Sequence, residues 1–389
     1  MTSRRLRIVH IASYLPSHLG GLEIAAWSIA RGVARRGYQI DYFASGDAVD
    51  CEPLEGFAVY EISSVDPFDR PLGLPVPLWS LGSMSQLVRA VRRADVVHIH
   101  DTLYMGSVLG AVLSVLLRCP LVLTVHTSKL QFRHRVLRLA FFVANASVTR
   151  FILSRATRVA FVGTTAEEFH STANSVAAKS AMIPNGVDAA IFSPFEFGDR
   201  RFLRRSMGIE SRDFVVAFVG RFVEKKGIHL LQQAVESVRG VRWVFIGDGT
   251  IHPEGWRVAH DSTLQLTGQV GQASLADLYR SADVVLSIGV GEGGTPLVVK
   301  ESMACGTPVL VSMEVSRSLG DPRPPGVWTV DASAPDASLL VAHMVERLKS
   351  GREEVASVRE ATAAFARRWD WDFAAREYDA MYRSLRSRR

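Results

Sequence analysis

Short apolar runs alternate with amphipathic stretches along most of this chain. Residues 7–12 (RIVHIA) are a short, mainly apolar run, and a loop ending in Gly20-Gly21 follows them. Residues 22–36 then carry apolar positions at helical spacing, closed by Gly37. Residues 39–44 read as the next strand. Strand, glycine-containing loop, helix and strand in that order predict a βαβ unit, and therefore a parallel sheet. The alternation continues with strands at 95–100 (DVVHIH), 121–125 and 158–162, and a helix at 104–117. Residues 46–80, rich in Pro and Gly, read as an irregular excursion ahead of a helix at 81–93.

The pattern pauses after 184–188 (PNGVD). Residues 189–213 are polar and charged and contain Pro194 and Gly198, which places a domain boundary there. A second series then begins, with strands at 214–219, 241–246, 263–267, 283–288 and 307–312. Helices at 227–238, 274–281 and 296–305 separate them. The expected fold is α/β, with two doubly wound Rossmann-like domains facing across a cleft, at 1–190 and 191–365. The tail at 366–389 contains an amphipathic, aromatic-rich segment that has to bury one face, and it is expected to pack back on the first domain.

A length of 389 residues with 48% hydrophobic and 22% charged residues fits two folded domains and excludes a disordered chain. Cys51, Cys119 and Cys305 are scattered, which fits a reducing compartment and excludes a zinc module of the usual spacing. The first apolar run breaks at Pro16, so it reads as a strand rather than a signal peptide. The longest apolar stretch, 104–117, falls short of the roughly 18 residues a membrane span needs. A cytoplasmic location is expected, with peripheral contact at the inner face of the membrane. Residues 1–190 hold 19 Lys/Arg against 14 Asp/Glu, and residues 191–389 hold 26 against 25. Between Asp101 and Glu167 there are eight basic residues and no acid, a field that attracts phosphates or anionic lipids.

Two segments carry candidate chemistry. The first, 219–227 (VGRFVEKKG), follows a strand and opens a helix, which is where open α/β sheets bind ligands. Arg221 offers a bidentate grip on phosphate, and Lys226 offers a mobile point charge. The second, 289–309, is glycine-rich, and Thr295-Pro296 then starts a helix whose N–H groups suit an anion or a hydroxyl-rich sugar. Glu292 and Glu301 flank that turn, and a carboxylate accepting two hydroxyl protons reads a diol well. Glu301 interrupts an otherwise buried-looking helix (LVVKESMA), where a carboxylate needs a partner.

His98, His100 and His126 invite a metal reading, but convergence and supporting contacts are not legible in a sequence. His98 and His100 read as core or cleft-lining residues, Asp101 as a wall of the acceptor pocket, and His126, directly after a strand, as functional. Asp370 and Asp372 have Asp-x-Asp spacing but lie in the aromatic tail and read as structural. Along 129–155, Val136, Leu137, Ala140, Phe141, Val143, Ala144, Val148, Phe151 and Ile152 fall largely on one side. Arg133, Arg135, Arg138 and Arg150 edge it. This fits an interfacial helix on an anionic membrane and equally a helix buried against the sheet. The charge is too local for nucleic acid, and no nucleic-acid motif accompanies it.

Taken in order, the pieces resemble a known family. GGLE at 20–23, His126 after LVLTV, PNGVD at 184–188, GRFVEKKG at 220–227, IGDG at 246–249 and the 292–308 block are similar to the retaining GT-B glycosyltransferases of family 4. The likeness implies an acceptor-side first domain and a nucleotide-sugar-binding second one. By this resemblance, Gly21 approaches the donor diphosphate, and Arg221 and Lys226 neutralise it. Glu301 holds the ribose hydroxyls. Glu292, with the backbone of Gly294, Thr295, Pro296 and Leu297, positions the sugar. Main chain from Gly268 to Val270 meets the base, and His126 sits against the sugar. Eight residues separate Glu292 from Glu301, one more than the family pattern, so the family position falls on Gly293.

The implied activity is transfer of a hexose from a nucleoside diphosphate sugar to a hydroxyl acceptor, with retention of configuration. A lipid-linked or growing polysaccharide is the expected acceptor. Positive side chains and helix dipoles take the place of a divalent cation, so neither metal nor other cofactor is expected. A sugar-nucleotide epimerase, or a non-catalytic sugar-nucleotide-binding protein, would share the same plan.

Overall fold

The computed structural model describes residues 5–386 apart from 19, 47–52, 68–75, 129–134, 171–173 and 196. The chain divides into two compact units, Met1–Gly186 with Trp371–Arg389, and Val187–Asp370.

The first unit is built on β1 (Arg7–Tyr14), β2 (Gln39–Ser45), β3 (Phe57–Ile62), β6 (Val96–His100), β7 (Leu121–Val125), β8 (Arg158–Phe161) and β9 (Ser180–Met182). A short antiparallel pair, β4 (Ser64–Val65) and β5 (Leu78–Trp79), precedes β6. The seven main strands form one parallel sheet in the order β3-β2-β1-β6-β7-β8-β9. Helices cover both faces, so the central strands are buried on both sides and are mainly apolar, with His10, His98, His100 and Thr124 among their buried polar residues. Val9, Ile11, Val97, Ile99 and Leu123 pack on one face. Ile8, Tyr42, Val96 and Val122 pack on the other, together with Tyr378 and Tyr382 of helix Trp371–Arg386. That helix lies against helix Gly21–Ala34, and a Cβ added to Gly32 would come within 2.9 Å of the Ala375 Cβ. Arg36 pairs with Asp372 at 2.8 Å alongside.

Residues 46–80 are not wholly irregular, because β3 forms an edge strand of the sheet and β4 and β5 pair with each other. One side of β3 is exposed, so its apolar pattern is weak, and the Pro- and Gly-rich surroundings hide it. The short edge strand β9, and a strand at Val327–Val330 in the second unit, likewise go beyond the expected elements.

In the second unit, β10 (Phe214–Val219), β11 (Val241–Ile246), β12 (Thr263–Leu266), β13 (Val284–Ser287), β14 (Val309–Ser312) and β15 (Val327–Val330) form a parallel sheet. Their order is β12-β11-β10-β13-β14-β15. The direction of winding reverses between β10 and β13, and the crevice at such a switch point is where open sheets of this kind bind ligands. The helix expected at 227–238 is broken. Glu224–Lys226 and Ile228–Leu231 are 3-10 turns, and only Gln232–Ser237 is α-helical. Gly227 separates the turns at φ 77°, a left-handed conformation that favours glycine.

Candidate active site

The loops after β10 and β13 are joined backbone to backbone. The Val290 N–H donates to the Lys225 carbonyl at 3.1 Å. A Cβ on Gly227 would fall 2.8 Å from the Ile288 carbonyl oxygen, and one on Gly289 2.8 Å from that of Lys225. Only glycine permits this approach. Lys226 ends a 3-10 turn instead of opening a helix, and its Nζ donates to Glu292 Oε1 at 2.7 Å. Burial opposes ionisation of Glu292, but Lys226 and Lys225 outweigh it and hold the carboxyl below its ordinary pKa. The extra residue before Glu301 therefore leaves Glu292 turned toward the β10 loop. Arg221, half-buried, lies in that same loop.

The rest of the glycine-rich turn is anchored from behind. Glu314 Oε2 accepts from the Gly291 N–H at 2.9 Å, and the Ser312 hydroxyl donates to the Gly289 carbonyl at 2.8 Å. The Thr295 hydroxyl lies 3.1 Å from the Ser318 carbonyl and 2.9 Å from its hydroxyl, so Thr295 offers the site main chain only. Gly294 is buried, Pro296 caps the helix, and Leu297 begins it. Sequence reasoning missed Glu314 and Ser312, whose roles depend on a partner more than 20 residues away.

Glu301, in the same helix, is buried, and the Tyr279 hydroxyl donates to its Oε2 at 3.2 Å. Burial raises its pKa to about 7. Its neighbour Lys300 is fully buried against Trp369 and has its pKa lowered to about 7 by the same cause. Gly268, at φ 65°, follows β12 and accepts from the Gly247 N–H at 2.9 Å, and Val270 packs on the core beside it. Arg221, Lys226, Gly268, Val270 and the Glu292–Leu297 turn thus all stand at the C-terminal ends of strands in the second sheet.

In the first unit, Gly21 opens helix Gly21–Ala34 after β1, and His126 follows β7. A side chain at the preceding Gly20 would strike the Glu23 carboxylate. Asp101 is buried after β6. Its Oδ1 accepts from the N–H groups of His126 at 2.7 Å and Thr127 at 3.2 Å, from a left-handed backbone at φ 57°. Burial lowers the His126 pKa to about 3, so its imidazole is neutral. His98 and His100 are fully buried core residues. Asp370 forms a backbone bridge with Val187, and Asp372 pairs with Arg36 and Arg376.

Residues 129–134 of the expected interfacial helix lie outside the described residues, as do the side chains of Val136 and Leu137. From Arg135 to Arg155 the chain is helical, with a π segment at Asn145–Thr149. Such a segment shifts the phase of the apolar face. Ile152 is buried and Val148 packs on the core. Leu139, Phe142 and Val143 are 63%, 71% and 54% exposed. The expected single apolar side is therefore split, and Leu139 and Phe142 belong to the exposed part. Among the described residues, no helix is long and apolar enough to cross a membrane.

Two parallel, helix-covered sheets with ligand-type loops at their C-terminal edges define the GT-B class of glycosyltransferases. Solved structures of that class match the chain over nearly all its length. Sucrose-phosphate synthase from Thermosynechococcus elongatus superimposes with TM-score 0.74 at 18% identity, covering 99% of this chain and 100% of that one. Anabaena HepE in complex with UDP-glucose gives 0.73 at 19% identity, covering 98% and 100%. The model for Glycosyltransferase Family 4 matches residues 19–191, and that for Glycosyl transferases group 1 matches residues 213–345. The chain belongs to these family 4, group 1 glycosyltransferases. An uncharacterized glycosyltransferase of Methanocaldococcus jannaschii is 26% identical, over 95% of this chain and 96% of its own. A D-inositol 3-phosphate glycosyltransferase of Segniliparus rotundus is 28% identical, over 94% and 84%.

Proposed function

We propose that this glycosyltransferase moves a hexose from a nucleoside diphosphate sugar to a hydroxyl acceptor, with retention of configuration and without a metal ion. The observation that carries the reading is the Lys226–Glu292 pair at the switch point of the second sheet, held by loops that only glycines allow to touch. The difficult event is departure of a diphosphate from an oxocarbenium-like carbon. Arg221, Lys226 and the amides at the start of helix Leu297–Ala304 would stabilise the charge that builds there. When the diphosphate binds, Lys226 would turn to it and release Glu292 to the sugar hydroxyls. Glu301 would accept from the ribose diol, main chain from Gly268 to Val270 would meet the base, and Gly21 would approach the diphosphate from the first unit. HepE was solved with UDP-glucose and with UDP, which supports a nucleotide-sugar donor.

A thermal-shift series with UDP-, GDP- and ADP-sugars tests donor binding, since a bound ligand raises apparent stability by mass action. One donor is expected to stabilise the protein, and stabilisation by none of them contradicts the reading. Donor incubated alone should yield no epimer, which separates transfer from epimerisation.

The acceptor we favour is a lipid-linked or growing glycan at an anionic membrane face. Leu139, Phe142 and Val143 stand exposed beside Arg135, Arg138, Arg150 and Arg155, all likewise exposed. Each arginine near an anionic surface contributes about 1 kcal/mol, and apolar insertion supplies the second signal that stable anchoring requires.

A further inference from the structure

Three histidines lie side by side inside the first unit. His10 on β1 and His98 and His100 on β6 share the sheet face covered by helix Trp371–Arg386, and all three are fully buried. Their ring nitrogens come within 4.8 Å of one another. Each of those nitrogens already has a partner. His98 Nδ1 is 2.6 Å from the Tyr382 hydroxyl, and its Nε2 is 2.8 Å from Thr124 Oγ1. Thr124 Oγ1 lies 2.8 Å from the Tyr378 hydroxyl. The Tyr382 hydroxyl also meets His10 Nε2 at 3.2 Å, and His10 Nδ1 faces His100 Nε2 at 3.4 Å. His100 Nδ1 then reaches His126 Nε2 at 3.0 Å. One unbranched path therefore runs Tyr378, Thr124, His98, Tyr382, His10, His100, His126. At its end, His126 Nδ1 is buried with no partner among the described residues.

Burial lowers the pKa of all four imidazoles, so each is neutral and carries one proton. Each hydroxyl also has one proton to give, so the direction of any one link fixes all the others, unless a hydroxyl accepts twice and leaves its own proton buried and unpaired. The Tyr378 hydroxyl has only Thr124 as partner among the described residues. If it accepts there, its own proton is buried unpaired, and His126 Nδ1 at the other end is left an unpaired acceptor. If it donates, the one group without a partner is His126 Nδ1–H. The second arrangement leaves one unmet group rather than two, which decides the direction.

We propose that this hydrogen-bond path fixes His126 as the Nδ1–H tautomer, so that it presents a donor, not an acceptor, to a hydroxyl oxygen of the bound sugar. Tyr382, His10 and His100 are then positioning residues that act through His126. The functional part rests on the proposed transfer reaction and on His126 meeting the transferred sugar, as the family resemblance implies, whereas the tautomer itself does not. Removing the Tyr382 hydroxyl cuts the path in the middle. The remaining segment, His10, His100 and His126, then has one unmet donor and one unmet acceptor in either direction, and the bias disappears. Removing the Tyr378 hydroxyl leaves the bias in place, because Thr124 still starts the path.

Imidazole 15N spectra of the ligand-free full chain test this independently of any activity. In the wild type and in Tyr378→Phe, His126 Nδ1 should resonate as a protonated, pyrrole-type nitrogen and Nε2 as a bare, pyridine-type one. In Tyr382→Phe the two should move toward each other by about half their separation, as equal populations require. A pyridine-type Nδ1 in the wild type overturns the proposal, and needs no variant to fold. So does a Tyr382→Phe protein that is folded and keeps the wild-type pattern. Stoichiometric Zn2+ should leave the wild-type signals of His10, His98 and His100 in place, and a joint shift of all three would make the cluster a metal site and overturn the path.

Discussion

Lys226 Nζ and Glu292 Oε1 lie 2.7 Å apart, so an ion pair joins the loop after β10 to the turn after β13. A cation already drawn into that turn can exchange one anionic partner for another without a large rearrangement. A phosphate arriving there meets a preorganised charge.

Replacing Lys226 with Ala should cost on the order of 2–4 kcal/mol of transition-state stabilisation, read as kcat/KM for sugar transfer. Near-normal turnover would contradict its assignment. The pair also has a pH signature. Glu292 has its pKa held below 4.5 in the fold, so its contribution to stability is present above that value and fades as pH falls through the folded pKa. Urea midpoints between pH 6 and 3 should therefore fall more steeply for the wild type than for Lys226→Ala.

Glu301→Gln should separate stability from function. The Glu301 pKa is raised from 4.5 to about 7, so the unfolded chain ionises first and the fold loses stability as pH rises across that window. Glutamine does not titrate. The variant should match the wild type near pH 4.5 and exceed it by roughly 2–3 kcal/mol at pH 8, while donor affinity falls. Equal pH profiles in thermal unfolding would refute the buried, protonated carboxyl.

Asp101 is tested through the two N–H groups it receives. Asp101→Ala should lose about 1–3 kcal/mol in chemical denaturation, because the His126 and Thr127 amides are left without that acceptor. Asp101→Asn keeps an acceptor oxygen and tolerates the left-handed backbone, so it should lose clearly less. Equal losses in the two variants would show that the carboxylate's acceptor role is not what holds this loop.

Membrane contact is read by flotation on vesicles. The wild type should rise with anionic vesicles and not with neutral ones. Leu139→Ser with Phe142→Ser should cut recovery on the order of tenfold, since the two most exposed of the three apolar anchors are removed. Equal recovery with both vesicle types, or none with either, removes the membrane from the proposal.

Periodicity in the sequence determined the two series of strands and helices and their parallel pairing, because a strand buried on both faces is predominantly apolar, as β7 and β10 are, and β1 and β6 keep enough of that pattern around His10, His98 and His100 to be read. Weakly patterned edge strands such as β3 and β9 did not announce themselves, since solvent on one side relaxes the demand for apolar residues. Motif order was enough to place Arg221, Lys226 and Glu292 in loops after strand ends and Glu301 in the helix that follows the second of them. The strand-end position of His126 was equally legible. What only the tertiary structure decided is who meets whom. Lys226 faces Glu292 across 66 positions of chain, and Tyr382 reaches His10 across 372. No local spacing records such partners, because they meet through the order in which the strands are laid beside one another and through the helix that covers them.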